Sequence, residues 1–321
     1  YKVIERAPLV TWMQAYRIVT APPPSAGGVT LAQVFGQLEA LGWHGNGDVL
    51  AKHLLVESWR RAYHDRAQYL GDPDFVDVPI YRIAAHGYAL ALARGIDRAH
   101  ATPSSTLDAQ SRALHEGDHT SHFSIVDAQG NRVAATQTIN TTFGCLCMAP
   151  GTGVVLNNEM DDFSAAVDAS NVYGLVGSKA NAIAPGKRPL SSMTPSFVEG
   201  PRGLLVLGTP GGSRIITMVT LGILDWISGG DTNSVVGAPR FHHQYLPDEI
   251  QFEPGAFSAD EQAQLTALGH TLNPLSSTYG NMHAVWWDPA HDHLEAASDP
   301  RGVGRAQVVL SAKMPAPPPS K

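Results

Sequence analysis

Cysteine is scarce in this chain: of 321 residues, only Cys145 and Cys147 carry a thiol. The two are separated by a single residue, and a loop this short rarely closes into a disulfide. A Cys-x-Cys pair can supply two ligands to a zinc ion, but the sequence has no second pair to complete such a site. We therefore expect two free thiols, buried or half-buried, with no evident role.

Basic charge and long apolar runs are lacking as well. The net charge is −7, so the chain has no basic footprint for binding nucleic acid. The longest apolar run, residues 216–227, is too short to span a bilayer and contains Asp225. Charged residues make up 16% and hydrophobic residues 43% of the chain, which is typical of a folded globular protein. Its length suits one large domain or two small ones.

Segments with helical and with strand-like patterns follow one another along the chain. Apolar periodicity predicts helices at residues 29–43, 48–70, 80–99 and 213–228. Alternating or β-branched runs predict strands at residues 121–127, 132–139, 203–208, 282–288 and 305–311. The polar stretch 101–119 is predicted to be an exposed loop, and residues 315–321 a disordered tail. This mixture of elements indicates an α+β fold.

The most informative stretch is residues 117–143, which reads as a β-hairpin with Thr120 at the start of its first strand. The side chains of residues 121, 123 and 125 alternate with those of residues 122, 124 and 126, a period of two, and Gly130 supplies the turn. A threonine in a strand is usually only a β-former. If the chain were cut before Thr120, however, the freed α-amine would titrate near pH 8 and act as base toward its own hydroxyl. An internal threonine lacks this chemistry because its nitrogen is an amide.

Ordered blocks of motif sequence extend from this hairpin through nearly the whole chain. In the second half they lie at residues 120–124, 140–144, 156–163, 171–176, 187–195, 208–215, 238–244 and 298–301. In the first half they lie at residues 21–28 and 69–75. Together these blocks resemble the γ-glutamyltranspeptidases, which are N-terminal-nucleophile hydrolases, and the hairpin resembles the start of their small subunit.

The resemblance implies a four-layer αββα sandwich and a self-cleaving precursor. Residues 1–119 resemble the C-terminal part of the large subunit and residues 120–321 the small, catalytic subunit, both belonging to one αββα domain. Thr120 is the implied nucleophile, first against the carbonyl of His119 and then, once freed, against a γ-glutamyl amide. The family precursor is longer, so the missing large-subunit region is an expected partner, supplied by the same precursor or by a separate chain.

The resemblance also implies roles for residues around Thr120. Thr138 is expected to hydrogen-bond the nucleophile, although the residues alone suggest only a cross-strand threonine pair. Gly211 and Gly212 are expected to stabilise an oxyanion near a helix N-terminus, although glycines often serve only a turn. A phosphate-binding loop is excluded because neither of its glycine motifs is present.

The glutamyl head of the implied substrate carries an ammonium and a carboxylate, and both need polar partners when they leave water. The resemblance assigns the ammonium to Asn140, Glu159 and Asp162, and the carboxylate to Ser191 and Ser192. Spacing alone leaves the two acids as a solvated face or a metal pair, and the two serines as a loop.

Tyr173 matches the aromatic residue of a lid loop at residues 164–180, although alone it is an ordinary tyrosine. The carboxylate-binding arginine of the family falls before Tyr1, so the resemblance assigns that role to no residue here. The large-subunit region that is missing should leave the helices 29–43 and 48–70 with apolar sides that this chain cannot fully cover.

The expected activity is transfer of a γ-glutamyl group from glutathione or a related amide to water, an amino acid or a peptide. The resemblance implies no cofactor and no catalytic metal, and His242 and His243 are adjacent, so on regular structure they cannot converge on one ion. It also implies a periplasmic or secreted protein, although residues 1–6 show no signal peptide. Two alternatives remain open: a glutaryl-cephalosporin (β-lactam) acylase of the same superfamily, and a non-catalytic or immature fragment.

The first prediction concerns maturation. Purified protein should contain residues 120–321 as a separate polypeptide, because Thr120 follows a polar loop and begins the motif. Intact-mass spectrometry measures this directly. Thr120→Ala should block the cut, and a stable uncut wild-type chain in a preparation of the whole precursor would contradict the prediction.

Overall fold

The computed structural model of the chain describes residues 2–45, 47–107, 120–164 and 179–309. Its helices are α1 (Gly27–Ala40), α2 (Val49–Tyr69), α3 (Ile80–Ile83), α4 (His86–Ala93), α5 (Arg214–Ile227), α6 (Thr232–Gly237) and α7 (Ala259–Ala267). The strands before residue 200 are β1 (Leu9–Met13), β2 (Tyr16–Thr20), β3 (Thr120–Val126), β4 (Arg132–Thr138) and β5 (Ser196–Gly200). The later strands are β6 (Gly203–Gly208), β7 (Phe241–His242), β8 (Ile250–Phe252), β9 (Leu272–Pro274), β10 (His283–Asp288) and β11 (His293–Ser298).

A six-stranded antiparallel sheet forms the centre of the molecule, in the order β1-β2-β5-β6-β10-β11. Its middle strand β6 is an unbroken apolar run, and residues 204–207 are all buried. Such a run is expected where both faces of a sheet are covered. Leu207 faces α5, where it approaches Gly222, whereas Gly208 faces the β3–β4 hairpin, where it approaches His122.

The β3–β4 hairpin forms a second layer on the central sheet, with residue pairs from Thr120↔Thr138 to Val126↔Arg132. It packs on β6 and β10. Asp127 holds its turn by accepting hydrogen bonds from the amides of Gln129 and Asn131.

Helices cover the other face of the central sheet. Residues 27–38 of α1 are all buried, and α1 packs against α2, α4 and β1. Helix α2 begins at its N-cap Asp48, whose carboxylate accepts from the Ala51 amide at 2.6 Å. The described residues therefore supply three layers, namely helices, sheet and hairpin, and the predicted α+β class is confirmed.

The expectation that α1 and α2 have uncovered apolar sides is wrong. Phe35 of α1 and Trp59 of α2 are fully buried, because the two helices pack on each other and on the sheet. Apolar side chains are exposed elsewhere, for example on the outer face of the hairpin, where Phe123, Ile125 and Val133 are each about half exposed, at 45%, 50% and 45%.

The structure also corrects several predicted elements. Residues 305–309 form no strand, and the edge of the sheet is β11, which lies earlier in the chain. The predicted helix 80–99 is two helices, because the extended backbone of Ala85 separates α3 from α4. Strands β1, β2 and β5 and helices α6 and α7 were not predicted, although Ser258 and Glu261 form a capping box at the start of α7.

Cys145 and Cys147 are free thiols, as expected, but both are exposed rather than buried. They lie in an irregular loop, where Phe143, Gly144 and Leu146 have positive φ and the backbone leaves strand geometry. A hydrogen bond from Cys145 raises the pKa of the Cys147 thiol. Both thiols are exposed because residues 143–147 form a loop and not a strand of a sheet.

A buried polar network attaches residues 95–104 to α2. Arg61 donates to the Gly95 carbonyl at 2.6 Å and to Thr102 Oγ1 at 3.0 Å. Arg60 donates to Ser104 Oγ at 2.6 Å. The segment that leads toward Thr120 is thus held on the first-half helices. Among the helices that the structure describes, none is long and apolar enough to cross a membrane.

A second buried network joins α6, β7, β8 and β10. Asp299 pairs with Arg240 at 2.5 Å and with Arg301 at 3.0 Å, and it accepts from the Met282 amide at 3.0 Å. Arg301 also pairs with Glu253 at 2.7 Å. Both acids are almost fully buried, so each cation here has a carboxylate partner out of water.

The second prediction follows from this network. Asp299→Asn should lower the free energy of unfolding by about 3 kcal/mol, because it leaves the buried Arg240 without its carboxylate. Equilibrium urea unfolding measures the change, with Asp260→Asn, an exposed site on α7, as the matched control. A loss no larger than that of the control would show that the network contributes little to stability.

Candidate functional site

The end of the hairpin presents the Thr120 hydroxyl in a fixed position. Thr120 Oγ1 donates to Thr138 Oγ1 at 3.0 Å, and the Asn140 amide donates to the same oxygen at 2.8 Å. Asn140 adopts φ 73°, a left-handed conformation that turns the chain back just after β4. Its side chain donates to the Asn158 carbonyl at 3.1 Å, which holds the turn. The threonine pair is therefore supported by a buried hydrogen-bonded corner.

A cavity opens beside Thr120. Six segments that are separated in sequence line it, with the side chains or backbone of Arg66, Thr120, Thr138, Asn140, Asp162, Leu190, Ser191, Ser192, Met193, Gly212 and Ile215. Seven of the site residues predicted from the sequence thus line one cavity: Thr120, Thr138, Asn140, Asp162, Ser191, Ser192 and Gly212.

Gly211 and Gly212 form the turn between β6 and α5. Their φ angles are 139° and 55°, so both adopt conformations that favour glycine. Gly212 lines the cavity, whereas Gly211, its neighbour in the chain, does not. The fourteen-residue helix α5 begins two residues later, which places its positive N-terminal end next to the cavity. This arrangement suits the stabilisation of a developing negative charge.

Glu159 and Asp162 lie on one short 3-10 turn, Glu159–Asp162. Asp162 reaches the cavity, but Glu159 is not part of its lining. Burial raises the pKa of Glu159, and a hydrogen bond with Asp162 acts in the opposite direction. Glu159 Oε1 is buried and has no hydrogen-bond partner among the described residues. A carboxylate oxygen of this kind is costly unless a donor reaches it.

Ser191 and Ser192 are placed by the chain that leads into α1. The Ser191 amide donates to the Pro24 carbonyl at 2.9 Å, and the Ser191 carbonyl accepts from the Ala26 amide at 2.8 Å. The neighbouring Ser192 is buried and accepts a hydrogen bond from Arg66 at 3.1 Å. Arg66 carries no signal in the sequence that marks it as a site residue, because a basic residue in the last turn of a helix is ordinary.

His122 fixes the hairpin on the sheet below it. Its ring contacts Thr136 Oγ1 at 2.7 Å and Ser124 Oγ at 3.0 Å. A Cβ atom on Gly208 would lie 2.3 Å from the ring, so the ring fits only above a glycine. Burial, with a smaller effect of His283, lowers the pKa of His122 to about 3. The imidazole is therefore neutral at physiological pH.

Two predicted site residues, His119 and Tyr173, lie outside the described residues. Residues 165–178 of the predicted lid also lie outside them. The adjacent histidines diverge: His242 contacts Thr217 Oγ1 at 2.8 Å, and His243 contacts Asp248 at 3.3 Å. Within the described ranges, no three His, Cys, Asp or Glu side chains are arranged to hold a metal ion.

Comparison with known proteins links the chain to one family. The sequence model described as gamma-glutamyltranspeptidase matches residues 1–309. The chain is 44% identical over 307 residues to the glutathione hydrolase proenzyme of Escherichia coli K12, a match that covers 94% of this chain and 52% of that protein. It is 43% identical over 319 residues to the Pseudomonas aeruginosa proenzyme, covering 96% and 56%. The chain thus spans about half the length of these relatives.

Solved structures give a consistent result. The gamma-glutamyltranspeptidase of Pseudomonas nitroreducens complexed with L-DON is 44% identical, with a TM-score of 0.55, over 59% of this chain and 99% of the matched chain. A cephalosporin acylase from Bacillus halodurans has a TM-score of 0.77 over 95% of this chain and 53% of its own, at 22% identity. The acylase therefore shares the fold, and its low identity supports no further conclusion.

The third prediction concerns pH. His122 is neutral in the folded protein, with its pKa lowered to about 3, whereas an unfolded histidine titrates near pH 6.5. Its contribution to stability is therefore complete above about pH 6.5 and is lost as the pH falls toward 3. The free energy of unfolding should therefore decrease as the pH is lowered through this window. His122→Asn should make the slope of the free energy of unfolding against pH shallower by about 1.4 kcal/mol per pH unit.

Urea unfolding at a series of pH values measures both slopes. The matched control is His44→Asn, which makes the same change at an exposed histidine outside the hairpin. The same slope in wild type and His122→Asn would show that His122 does not couple protonation to folding.

Proposed function

The chain belongs to the gamma-glutamyltranspeptidase family, and on this premise we propose that it transfers γ-glutamyl groups through an acyl-enzyme on Thr120. The donor is glutathione or a related γ-glutamyl amide, and the acceptor is water, an amino acid or a peptide. The observation that supports this proposal most directly is the Thr120 hydroxyl, held 3.0 Å from the Thr138 hydroxyl at a cavity lined by two side chains of opposite charge, Asp162 and Arg66.

Maturation precedes turnover in this proposal. Thr120 Oγ attacks the carbonyl carbon of His119, and the peptide C–N bond breaks as the nitrogen of Thr120 takes a proton. The resulting ester is hydrolysed, which leaves a carboxylate on His119 and a free amine on Thr120. That amine then has a pKa near neutrality and acts as base toward the adjacent hydroxyl.

In turnover, Thr120 Oγ attacks the γ-carbonyl of the donor while its proton passes to the α-amine. The oxyanion forms next to Gly211 and Gly212 at the N-terminal end of α5, where the backbone and the helix dipole stabilise it. The proton returns to the departing amine, and water or an amine acceptor then releases the γ-glutamyl group. Thr138 keeps the Oγ in line with the carbonyl.

Recognition of the glutamyl head is assigned to the two ends of the cavity. Asn140, Glu159 and Asp162 take the α-ammonium: Asn140 and Asp162 line the cavity, and Glu159, which lies outside the lining, hydrogen-bonds Asp162. Ser191 and Ser192 take the α-carboxylate. This division suits a zwitterionic head group, because each charge meets groups of the complementary kind.

The wider assignments follow the family. Residues 1–119 form the C-terminal part of a large subunit and residues 120–321 the small subunit, with the remaining large-subunit region as partner. Tyr173, on a lid at residues 164–180, covers the glutamyl pocket. Catalysis uses no cofactor or metal ion, and the protein acts in the periplasm or outside the cell.

Two other functions are distinguishable from this one. A glutaryl-cephalosporin acylase acts on donors without an α-ammonium, so it has no use for Asp162 on the cavity wall. A non-catalytic fragment has no use for a Thr120 hydroxyl that is hydrogen-bonded at a cavity to Thr138, which the Asn140 amide holds in turn. Release of p-nitroaniline from γ-glutamyl-p-nitroanilide, measured together with the intact mass, separates the three. Turnover of γ-glutamyl-p-nitroanilide by cut protein supports the proposal. Turnover of glutaryl-p-nitroanilide alone supports an acylase. Uncut, inactive protein supports a non-catalytic fragment.

The fourth prediction tests recognition of the ammonium. Asp162→Asn should weaken the use of γ-glutamyl-p-nitroanilide by about 1.5–3 kcal/mol, because a hydrogen bond to a charged group is lost. The same variant should use glutaryl-p-nitroanilide, which lacks the ammonium, almost as wild type does. The quantity to measure is kcat/KM for both donors.

Asp161→Asn is the matched control, since it makes the same change on the exposed neighbour. If Asp162→Asn lowers kcat/KM equally for both donors, Asp162 supports the structure of the site rather than the ammonium.

A further inference from the structure

Arg66 is a buried cation on the cavity wall. It lies in the last turn of α2, is only 5% exposed, and lines the cavity together with Thr120 and Asp162. One of its terminal nitrogens, Nη2, donates to Ser192 Oγ at 3.1 Å. Its Nε is buried and has no hydrogen-bond partner among the described residues. A guanidinium has five N–H donors, so this side chain is under-satisfied.

The charge of Arg66 is also not neutralised in the described part of the chain. Asp162 attracts it electrostatically but does not form an ion pair with it, and the structure shows no other carboxylate paired with it. Burial lowers the pKa of Arg66 to about 10, so it is still charged at neutral pH. A buried charge without a partner is costly, and the cost is relieved when an anion binds beside it.

This environment contrasts with that of the other buried arginines. Arg240 pairs with Asp299, and Arg60 and Arg61 both pair with Glu57. The fold therefore supplies a carboxylate to each of these three cations but not to Arg66, which faces the cavity instead. The expected anion is a ligand in that cavity.

We propose that Arg66 is a positioning residue for recognition of the donor's α-carboxylate and that it acts through Ser192. The inference rests on the proposed function, because it takes the γ-glutamyl head group as the ligand. Ser192 Oγ accepts a hydrogen bond from Arg66, so the hydroxyl proton of Ser192 is available to another acceptor. Because Ser192 lines the cavity, that acceptor can be a ligand in it. Arg66 thus positions Ser192 as a donor to the carboxylate and adds positive potential behind it. It is a positioning and specificity residue within this chain, additional to any arginine supplied from elsewhere.

The test compares two donors that differ only in the α-carboxylate: γ-glutamyl-p-nitroanilide and 4-aminobutyryl-p-nitroanilide. Arg66→Gln should raise KM for the first donor about 10- to 100-fold, the range for a hydrogen bond to a charged group, with kcat changed much less. The second donor should be used by the variant and by wild type with KM within about 2-fold. Arg66→Lys, which keeps the charge but not the planar fork, should fall between wild type and Arg66→Gln.

Arg94→Gln is the matched control, because Arg94 is an exposed arginine remote from the cavity lining. Ser192→Ala extends the test to the proposed route. If Arg66 acts through Ser192, KM for γ-glutamyl-p-nitroanilide should be little higher in the double variant than in the worse single variant. If the two residues act independently, their fold-changes in KM should multiply. Cleavage before Thr120 and the melting temperature, measured for each variant, report whether the fold is intact.

A binding measurement separates failure of this inference from failure of the proposed function. Isothermal titration calorimetry with L-glutamate and with 4-aminobutyrate needs no turnover. Wild type should prefer glutamate, and Arg66→Gln should lose that preference. An equal effect of Arg66→Gln on both donors and both ligands would overturn the inference while leaving γ-glutamyl transfer intact. Absence of turnover in wild type, with the ligand preference retained and dependent on Arg66, would contradict the proposed function alone.

Discussion

The docking of the β3–β4 hairpin onto the central sheet is the contact on which the site depends. Thr120 is the first residue of that hairpin, so its position is set by how closely β3 approaches β6. The approach is possible because Gly208 leaves room for the neutral ring of His122, and a side chain there would collide with the ring. A buried, uncharged histidine two residues from Thr120 therefore determines where the hydroxyl lies relative to the cavity.

The cavity itself depends on long-range packing. Its cation comes from the end of α2, its acid from a 3-10 turn, its serines from the loop before β5, and its glycine from the start of α5. Burial makes each of these charges and dipoles act more strongly than it would in water. The same burial leaves Arg66 and Glu159 with unsatisfied atoms, which is typical of a site built to receive a polar ligand.

Sequence reasoning succeeded where the signal was local. Helices α1, α2 and α5 and the hairpin were predicted to within a few residues because their apolar periodicity is long and regular. Strands β1, β2 and β5 were missed because each is only five residues long, and β5 has its partner β2 far away in the chain. Arg66 was missed for the same reason: its neighbour Ser192 is 126 residues away, and only the fold shows that the two meet.

The central sheet has a consequence for the proposed cut before Thr120. Strand β2, before Thr120, pairs with β5, after it, so one sheet contains strands from both sides of the proposed cut. The core is likewise shared, since α1 and α2 pack in one cluster with α5. If the chain is cut there, one cooperative unit becomes a two-chain complex without losing a contact from this sheet. Unfolding of that complex is also a dissociation, and by mass action its melting temperature rises with protein concentration.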